Sequence, residues 1–137
     1  MIKIIITGHG NYATGMFSAL TTISGPKTNI TAIDFTDKDT DVTLLNKFNK
    51  VIEKENEYLV LCDLLGGTPY KEATKISITN KKVKVITGVN LGAILDISMK
   101  LEKNTLDELS NIALESSKKN LKLIDLEIKK EIKNDGI

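Results

Sequence analysis

The sequence has 137 residues, which suits one compact domain with a real core and leaves little room for a second. Lys and Arg number 19 against 18 Asp and Glu, so the net charge of +1 provides no broad attraction to nucleic acid or anionic lipid. No stretch approaches the roughly 20 apolar residues that cross a bilayer, and the apolar N-terminus is too short for a signal peptide. We therefore expect a single cytoplasmic domain over residues 1–137.

Cysteine and histidine are each present once, as Cys62 and His9. A single cysteine excludes an internal disulfide and fits a reducing compartment. One histidine and one cysteine supply no ligand set for a structural zinc ion, and no P-loop motif is present. We expect no metal and no cofactor, and we expect Cys62 to be a small buried hydrophobe rather than a reactive thiol.

Short apolar runs alternate with segments of helical period, a pattern typical of βα units. The expected strands cover residues 2–7, 30–34, 58–62 and 82–87. The prediction is an α/β fold, with an open, mostly parallel β-sheet of four parallel strands and helices on both faces.

Helices should follow each of these strands. The third is expected to begin at Pro69 with Thr68 as its N-cap, because proline suits the first helical position and a hydroxyl accepts from free N–H groups. The fourth covers residues 91–100, and Asn90 before it either caps the helix or shapes a site rim. A capping box from Thr105 to Glu108 opens the fifth.

The C-terminal residues fit two patterns. Ile124, Leu126 and Ile128 alternate as in a strand, whereas Leu121, Ile124, Ile128 and Ile132 fit a helical stripe. We favour a short edge strand.

Two glycine-rich loops follow the first and third strands. One is Gly8-His9-Gly10, and the other runs from Asp63 through Gly66, Gly67 and Thr68. Because the carboxyl ends of parallel strands share one edge of a sheet, both loops should face one crevice. The glycines permit tight turns and close backbone approach, which exposes the imidazole.

This combination suits covalent phosphoryl transfer, since a neutral imidazole nitrogen is a competent nucleophile when its other nitrogen is held in the right tautomer. Asp63 would accept a hydrogen bond from Nδ1–H of His9 and so present Nε2. The following helix N-terminus, with the loop N–H groups and the Thr68 hydroxyl, would surround the phosphoryl oxygens. The expected catalytic residues are His9 and Asp63, and the expected phosphate-binding residues are Gly10, Gly66, Gly67 and Thr68.

Three motifs in order, Gly8-His9-Gly10, Asp63 with Gly66-Gly67-Thr68-Pro69, and Gly88-Val89-Asn90, carry a resemblance over nearly the whole chain. The sequence resembles the IIA component of mannose-family sugar phosphotransferase systems. The resemblance implies that phospho-HPr donates to His9 and that phospho-His9 donates to a cognate IIB subunit. IIB would then phosphorylate sugar entering through membrane subunits, IIC and IID.

The resemblance also implies a homodimer and a further antiparallel strand near the C-terminus. Thr68 stands where the family often has serine, and the hydroxyl is kept. A fused IIB domain is not expected. The sequence of segment 64–72 is similar to that of family members that serve N-acetylgalactosamine or related amino sugars.

Other functions remain open from the sequence. Gly8-x-Gly10-x-x-Ala13 after a strand, with Asp34 ending the next strand, matches a dinucleotide-binding fingerprint. That interpretation leaves the Asp63 loop unexplained. The phosphotransfer subunit of phosphotransferase-dependent dihydroxyacetone kinases also resembles this family. A regulatory domain that senses phosphorylation at His9 without relaying it is a third alternative.

Overall fold

A computed structural model describes residues 1–125 of the chain, which form alternating strands and helices. In chain order the elements are β1 (Ile2–His9), α1 (Tyr12–Ser24), β2 (Ile30–Phe35), α2 (Asp41–Val51), β3 (Glu57–Cys62), α3 (Thr68–Thr79), β4 (Val83–Thr87), α4 (Leu91–Ser98) and α5 (Leu106–Asn120). The predicted α/β fold is confirmed.

The sheet order is β2-β1-β3-β4, and every neighbouring pair is parallel. β1 pairs with β2 on one side and β3 on the other, so the winding direction reverses between β1 and β3. Ligand sites in open α/β sheets lie at such a switch point, beyond the carboxyl ends of the strands. The order also matches the flavodoxin-like arrangement rather than the classic dinucleotide-binding one.

The two faces of the sheet are covered by separate apolar clusters. Ile4 and Ile6 pack with α1, α4 and α5, whereas Ile5 between them packs with α2 and α3. This alternation follows from the period of two in a strand, and it explains why β1 reads as a continuous apolar run. Burying each such side chain contributes about 1.5–3 kcal/mol, so β1 anchors the loop that follows it.

β1 is two residues longer than the sequence predicts and ends at His9. Its last residues pair in register with β2, with Gly8 opposite Asp34 and His9 opposite Phe35. The apolar run ends at Thr7, but backbone pairing continues because a ladder depends on N–H and C=O groups and not on hydrophobicity.

The predicted start of α3 is wrong by one residue. The helix begins at Thr68, and Gly67 is the N-cap, with φ −75° and ψ 169°. Pro69 therefore occupies the second helical position, where its missing N–H also costs no hydrogen bond. Thr68 is inside the first turn and is not the cap.

The last two helices, α4 and α5, each have a side chain that caps the N-terminus. The capping box at Thr105 and Glu108 is confirmed by reciprocal hydrogen bonds of 3.2 and 3.0 Å. Asn90 Oδ1 accepts from the Ala93 N–H at 3.1 Å, so this side chain caps α4.

The predicted C-terminal edge strand falls largely outside the described residues. Ile124 has no regular secondary structure, and Leu126 and Ile128 lie beyond residue 125. Among residues 1–125, no helix is both long enough and apolar enough to cross a membrane.

Candidate functional site

His9 and Asp63 meet at the switch point between β1 and β3. Asp63 Oδ2 lies 2.7 Å from His9 Nδ1 and accepts from the His9 backbone N–H at 2.8 Å. Asp63 Oδ1 accepts from the Leu64 N–H at 2.9 Å. The His9 side chain remains 46% exposed, whereas that of Asp63 is 11% exposed. The carboxylate is thus largely shielded, whereas the ring that it contacts is open to solvent.

The Asp63 carboxylate is ionised at neutral pH. Burial opposes its charge, but hydrogen bonds from the His9 backbone, the His9 ring and the Leu64 N–H outweigh burial and lower the pKa of Asp63. An ionised carboxylate only accepts, so the short contact requires a proton on His9 Nδ1. In the neutral ring, Nε2 then carries the free lone pair.

Glycine is required at two positions where the backbone lies very close to the side chains of the site. A Cβ on Gly67 would lie 2.7 Å from His9 Cε1 and 3.4 Å from Nε2. A Cβ on Gly8 would overlap the Tyr12 ring and lie 2.9 Å from Asp63 Cβ. These approaches to His9 Cε1, the Tyr12 ring and Asp63 Cβ leave no room for a side chain. The close backbone approach expected at Gly8 is confirmed, and Gly67 shows the same feature.

Gly10 and Gly66 have a different role, because both adopt positive φ, +58° and +88°. These angles favour glycine and turn each loop sharply. The Gly10 N–H donates to the Phe35 carbonyl at 2.8 Å, so it is already paired. Gly10 therefore shapes the His9 loop, and its N–H is not free for a phosphate.

The N-terminus of α3 begins beside the imidazole, since Gly67 contacts the ring and is the N-cap. The first turn of a helix leaves N–H groups without intrahelical partners and carries partial positive charge. Pro69 has no N–H, so Thr68 and Tyr70 supply these donors within the helix. The half-buried Thr68 also brings its hydroxyl to this turn.

Two aromatic residues lie at the site without belonging to any of its sequence motifs. Phe35 contacts the His9 ring edge-on, with centroids 5.7 Å apart and planes at 90°. Tyr12 packs against Gly8, and its hydroxyl donates to the Val89 carbonyl at 3.3 Å. The one signal for Phe35 is its position at the end of β2, beside the end of β1.

Tyr12 remains a neutral donor at this position. Burial, the charge of Asp63 and a smaller effect of Cys62 raise the pKa of the Tyr12 hydroxyl. Cys62 itself is fully buried, and burial followed by the charge of Asp63 raises the pKa of its thiol to about 12. The expectation that Cys62 is a small buried hydrophobe is confirmed, and a raised thiol pKa disfavours the reactive thiolate.

Asp34, the acidic residue of the dinucleotide fingerprint, is engaged elsewhere. Its carboxylate accepts from the Thr14 backbone N–H at 3.0 Å and from the Thr14 hydroxyl at 2.7 Å. A ribose-binding carboxylate would need to offer these oxygens to a ligand. In this fold Asp34 instead fixes the first turn of α1 to the end of β2.

The site therefore combines an imidazole hydrogen-bonded at Nδ1 and 46% exposed, a carboxylate that is 11% exposed, and a helix N-terminus. Such a combination can perform nucleophilic transfer of an anionic group, because the N–H groups of a helix N-terminus attract anionic oxygens.

Comparison with known proteins identifies the class. Residues 3–114 match the family model EIIA-man, described as the phosphotransferase system fructose IIA component. The chain belongs to this family and is a sugar phosphotransferase-system component of the EIIA type. The fructose-specific EIIA component of Bacillus subtilis is 32% identical over 114 residues, which cover 81% of this chain and 78% of that protein. The mannose-specific EIIAB component of Escherichia coli K12 is 28% identical over 127 residues, 90% of this chain and 39% of that longer protein.

Solved structures agree with the family and the fold. An EIIA component from Streptococcus agalactiae superimposes with a TM-score of 0.85 at 29% identity and covers 93% of this chain and 99% of that one. The mannose/sorbose-specific IIA subunit from Enterococcus faecalis gives 0.82 at 25% identity, covering 90% and 95%.

Proposed function

We propose that this protein is a cytoplasmic phosphocarrier that accepts a phosphoryl group from phospho-HPr on His9 Nε2 and transfers it to a cognate IIB subunit. The observation that carries the proposal is the 2.7 Å contact between His9 Nδ1 and Asp63 Oδ2. It fixes the tautomer that leaves Nε2 unprotonated, on a side chain that is 46% exposed.

The reaction exchanges one nitrogen–phosphorus bond for another. The Nε2 lone pair attacks phosphorus, the donor N–P bond breaks, and its electron pair stays on the donor nitrogen. The ring becomes cationic as the bond forms, and the Asp63 carboxylate stabilises that charge through Nδ1–H. Because the bond formed resembles the bond broken, the step is readily reversible and suits a carrier.

The phosphoryl oxygens would be held by the α3 N-terminus. The loop N–H groups of Gly66 and Gly67, the N–H groups of Thr68 and Tyr70, and the Thr68 hydroxyl are the proposed donors. Preorganised donors of this kind stabilise charge as it develops, and they need no metal ion.

A protein partner fits the surroundings of His9. Leu64 and Leu65 follow Asp63 directly and are 51% and 70% exposed. They belong to the same loop as Asp63 and Gly67, which both contact the ring, so a protein that reaches Nε2 would cover these apolar side chains. HPr and IIB would each dock here, and IIB would connect the chain to membrane subunits IIC and IID. Any association of the chain with the membrane would be peripheral, through that complex.

We also propose that the protein is a homodimer. Within residues 1–125, β4 pairs with β3 alone, so no strand among these residues pairs with its outer edge. A groove beside it is lined by Leu65, Tyr70, Val85 and Leu114 together with further β4 and α5 residues. Exposed strand edges are generally covered in native proteins, and we propose that a second copy covers this one. Light scattering on the purified chain tests this directly.

The sugar remains a proposal. The relatives named above serve fructose, mannose and sorbose by their names. The loop 64–72 favours N-acetylgalactosamine or a related amino sugar, and transport by cells lacking the gene would decide among them.

The relay is tested with purified components. The chain is incubated with labelled phosphoenolpyruvate, enzyme I and HPr, and is then chased in separate reactions with candidate IIB subunits and with a dihydroxyacetone kinase. Label that moves to HPr, to this chain and then to IIB supports the carrier. Label that stops on this chain with every IIB indicates a regulatory domain, and label that passes only to a dihydroxyacetone kinase indicates that system instead.

A further inference from the structure

The orientation of the His9 imidazole is restrained by Asp63 and by further contacts. The ring turns about the Cα–Cβ and Cβ–Cγ bonds, and the Nδ1–Oδ2 hydrogen bond restrains both rotations through a single contact at one edge of the ring. The side chain is also 46% exposed, so bulk packing does not immobilise it. In-line attack requires the Nε2 lone pair to point at phosphorus, and reaction rates depend steeply on such alignment.

Two further contacts limit the ring. The backbone of Gly67 approaches Cε1 so closely that even a Cβ would not fit. The Phe35 ring meets the His9 ring at 90° with centroids 5.7 Å apart, a favourable edge-to-face geometry. We propose that Phe35 is a positioning residue that sets the plane of the His9 ring, so that Nε2 is aligned for phosphoryl transfer.

The backbone of Phe35 is fixed by its pairing with the His9 loop. It lies opposite His9 in the parallel register of β1 and β2, and its carbonyl accepts from the Gly10 N–H at 2.8 Å. Its neighbour Asp34 holds α1 through two hydrogen bonds to Thr14. The end of β2 therefore fixes the backbone on both sides of His9, and the Phe35 ring contacts the nucleophile from that fixed frame.

An aromatic hydrocarbon suits this role chemically. It restrains the imidazole through contact and through the quadrupole interaction of an edge-to-face pair, and both phenylalanine and tyrosine provide that interaction.

The test compares Phe35→Leu and Phe35→Met with the conservative Phe35→Tyr. Phe17→Leu is the matched control, because Phe17 is a partly buried phenylalanine that packs against the other core cluster. Each variant is phosphorylated by phospho-HPr, with kcat and KM separated, and by phosphoramidate, a small donor that needs no protein docking. The chemical shifts of the His9 ring protons report contact with the Phe35 ring in the wild-type protein.

We expect kcat to fall about 3- to 10-fold in Phe35→Leu and Phe35→Met, as loss of one aromatic pair would cause, with KM within about twofold. The same fall should appear with phosphoramidate, while Phe35→Tyr and Phe17→Leu stay within about twofold of wild type. The wild-type His9 ring protons should show ring-current shifts that both aliphatic variants lose.

Unchanged kcat in both aliphatic variants would overturn the proposal. So would a rise in KM for HPr alone, which is the result of a docking contact, or a Phe35→Tyr variant as slow as Phe35→Leu. Should the aliphatic variants fail to fold, wild-type ring protons without ring-current shifts would still overturn it.

The inference rests on the proposed function, and the wild-type protein separates the two. If neither donor labels the wild-type protein, the phosphocarrier function fails. If the wild-type protein is labelled and the Phe35 variants are unaffected, only the positioning role is refuted.

Discussion

One oxygen of Asp63 accepts two hydrogen bonds from His9, at 2.8 Å from the backbone N–H and at 2.7 Å from ring Nδ1. The backbone bond fixes where the loop sits, and the ring bond fixes the tautomer. Placement and chemical state of the nucleophile therefore depend on the same carboxylate, at the point where β1 and β3 end side by side.

Replacing that carboxylate by its amide should slow transfer while the fold persists. In Asp63→Asn an NH₂ group facing Nδ1 would favour the tautomer with the proton on Nε2. Loss of one charge-assisted hydrogen bond predicts a fall of about 10- to 100-fold in kcat/KM for phospho-HPr. Asp107→Asn, an exposed carboxylate paired with Lys84, is the control and should keep the wild-type rate. Equal rates in the two variants would remove Asp63 from the mechanism.

The contribution of Asp63 to stability should depend on pH. Its pKa is lowered in the folded state, so the ionised form stabilises the fold above the ordinary carboxyl pKa of about 3.9, and this contribution is lost as pH falls through the lowered value. Urea unfolding of wild type and Asp63→Asn should show a difference that is constant near neutrality and shrinks in acid. A difference that grows below about pH 4 would contradict the direction of the pKa shift.

Gly67→Ala should damage transfer more than stability. The backbone angles of Gly67 are accessible to alanine, but the new Cβ would lie 2.7 Å from His9 Cε1 and would displace the ring. We expect transfer to slow by about 10- to 100-fold, with a melting temperature near that of wild type. Gly15→Ala is the control: it lies inside α1 with open space around a Cβ, and it should stabilise by about 0.5–1 kcal/mol at full activity. Wild-type kinetics in Gly67→Ala would show that the ring tolerates movement.

The Thr68 hydroxyl can be tested without disturbing a helix cap. Because Gly67 is the N-cap of α3, Thr68→Val removes a hydroxyl from the first turn and no side-chain cap. If the hydroxyl binds the phosphoryl group, transfer should slow by roughly 10- to 100-fold, the value of a hydrogen bond to a charged group. Thr22→Val, on the exposed surface of α1, should have no effect on transfer. A normal transfer rate in Thr68→Val would leave the backbone N–H groups as the phosphate site.

The sequence was sufficient for the parts that depend on local pattern. Apolar runs located the four strands, and the rule that loops meet at the carboxyl ends of parallel strands predicted that His9 and Asp63 would lie together. The start of α3 was missed by one residue, since glycine and threonine both serve as N-caps and proline fits either of the first two helical positions.

Other parts of the site depend on strand order and register, which local pattern does not contain. Phe35 reaches His9 only because β2 lies beside β1 with these two residues opposite each other. Asp34 looked like a ribose ligand, but its carboxylate binds Thr14 across the same junction. For the same reason, local pattern does not show that the Gly10 N–H is paired with the Phe35 carbonyl.

The most direct test of the phosphocarrier proposal is the phosphoryl state of the intact protein after incubation with phosphoenolpyruvate, enzyme I and HPr. Intact mass should show one phosphoryl group per chain, labile in acid and stable in base, and His9→Ala should show none while its circular dichroism matches wild type. A phosphoryl group retained by folded His9→Ala, or no adduct on wild type with donors that label a known IIA component, would contradict it.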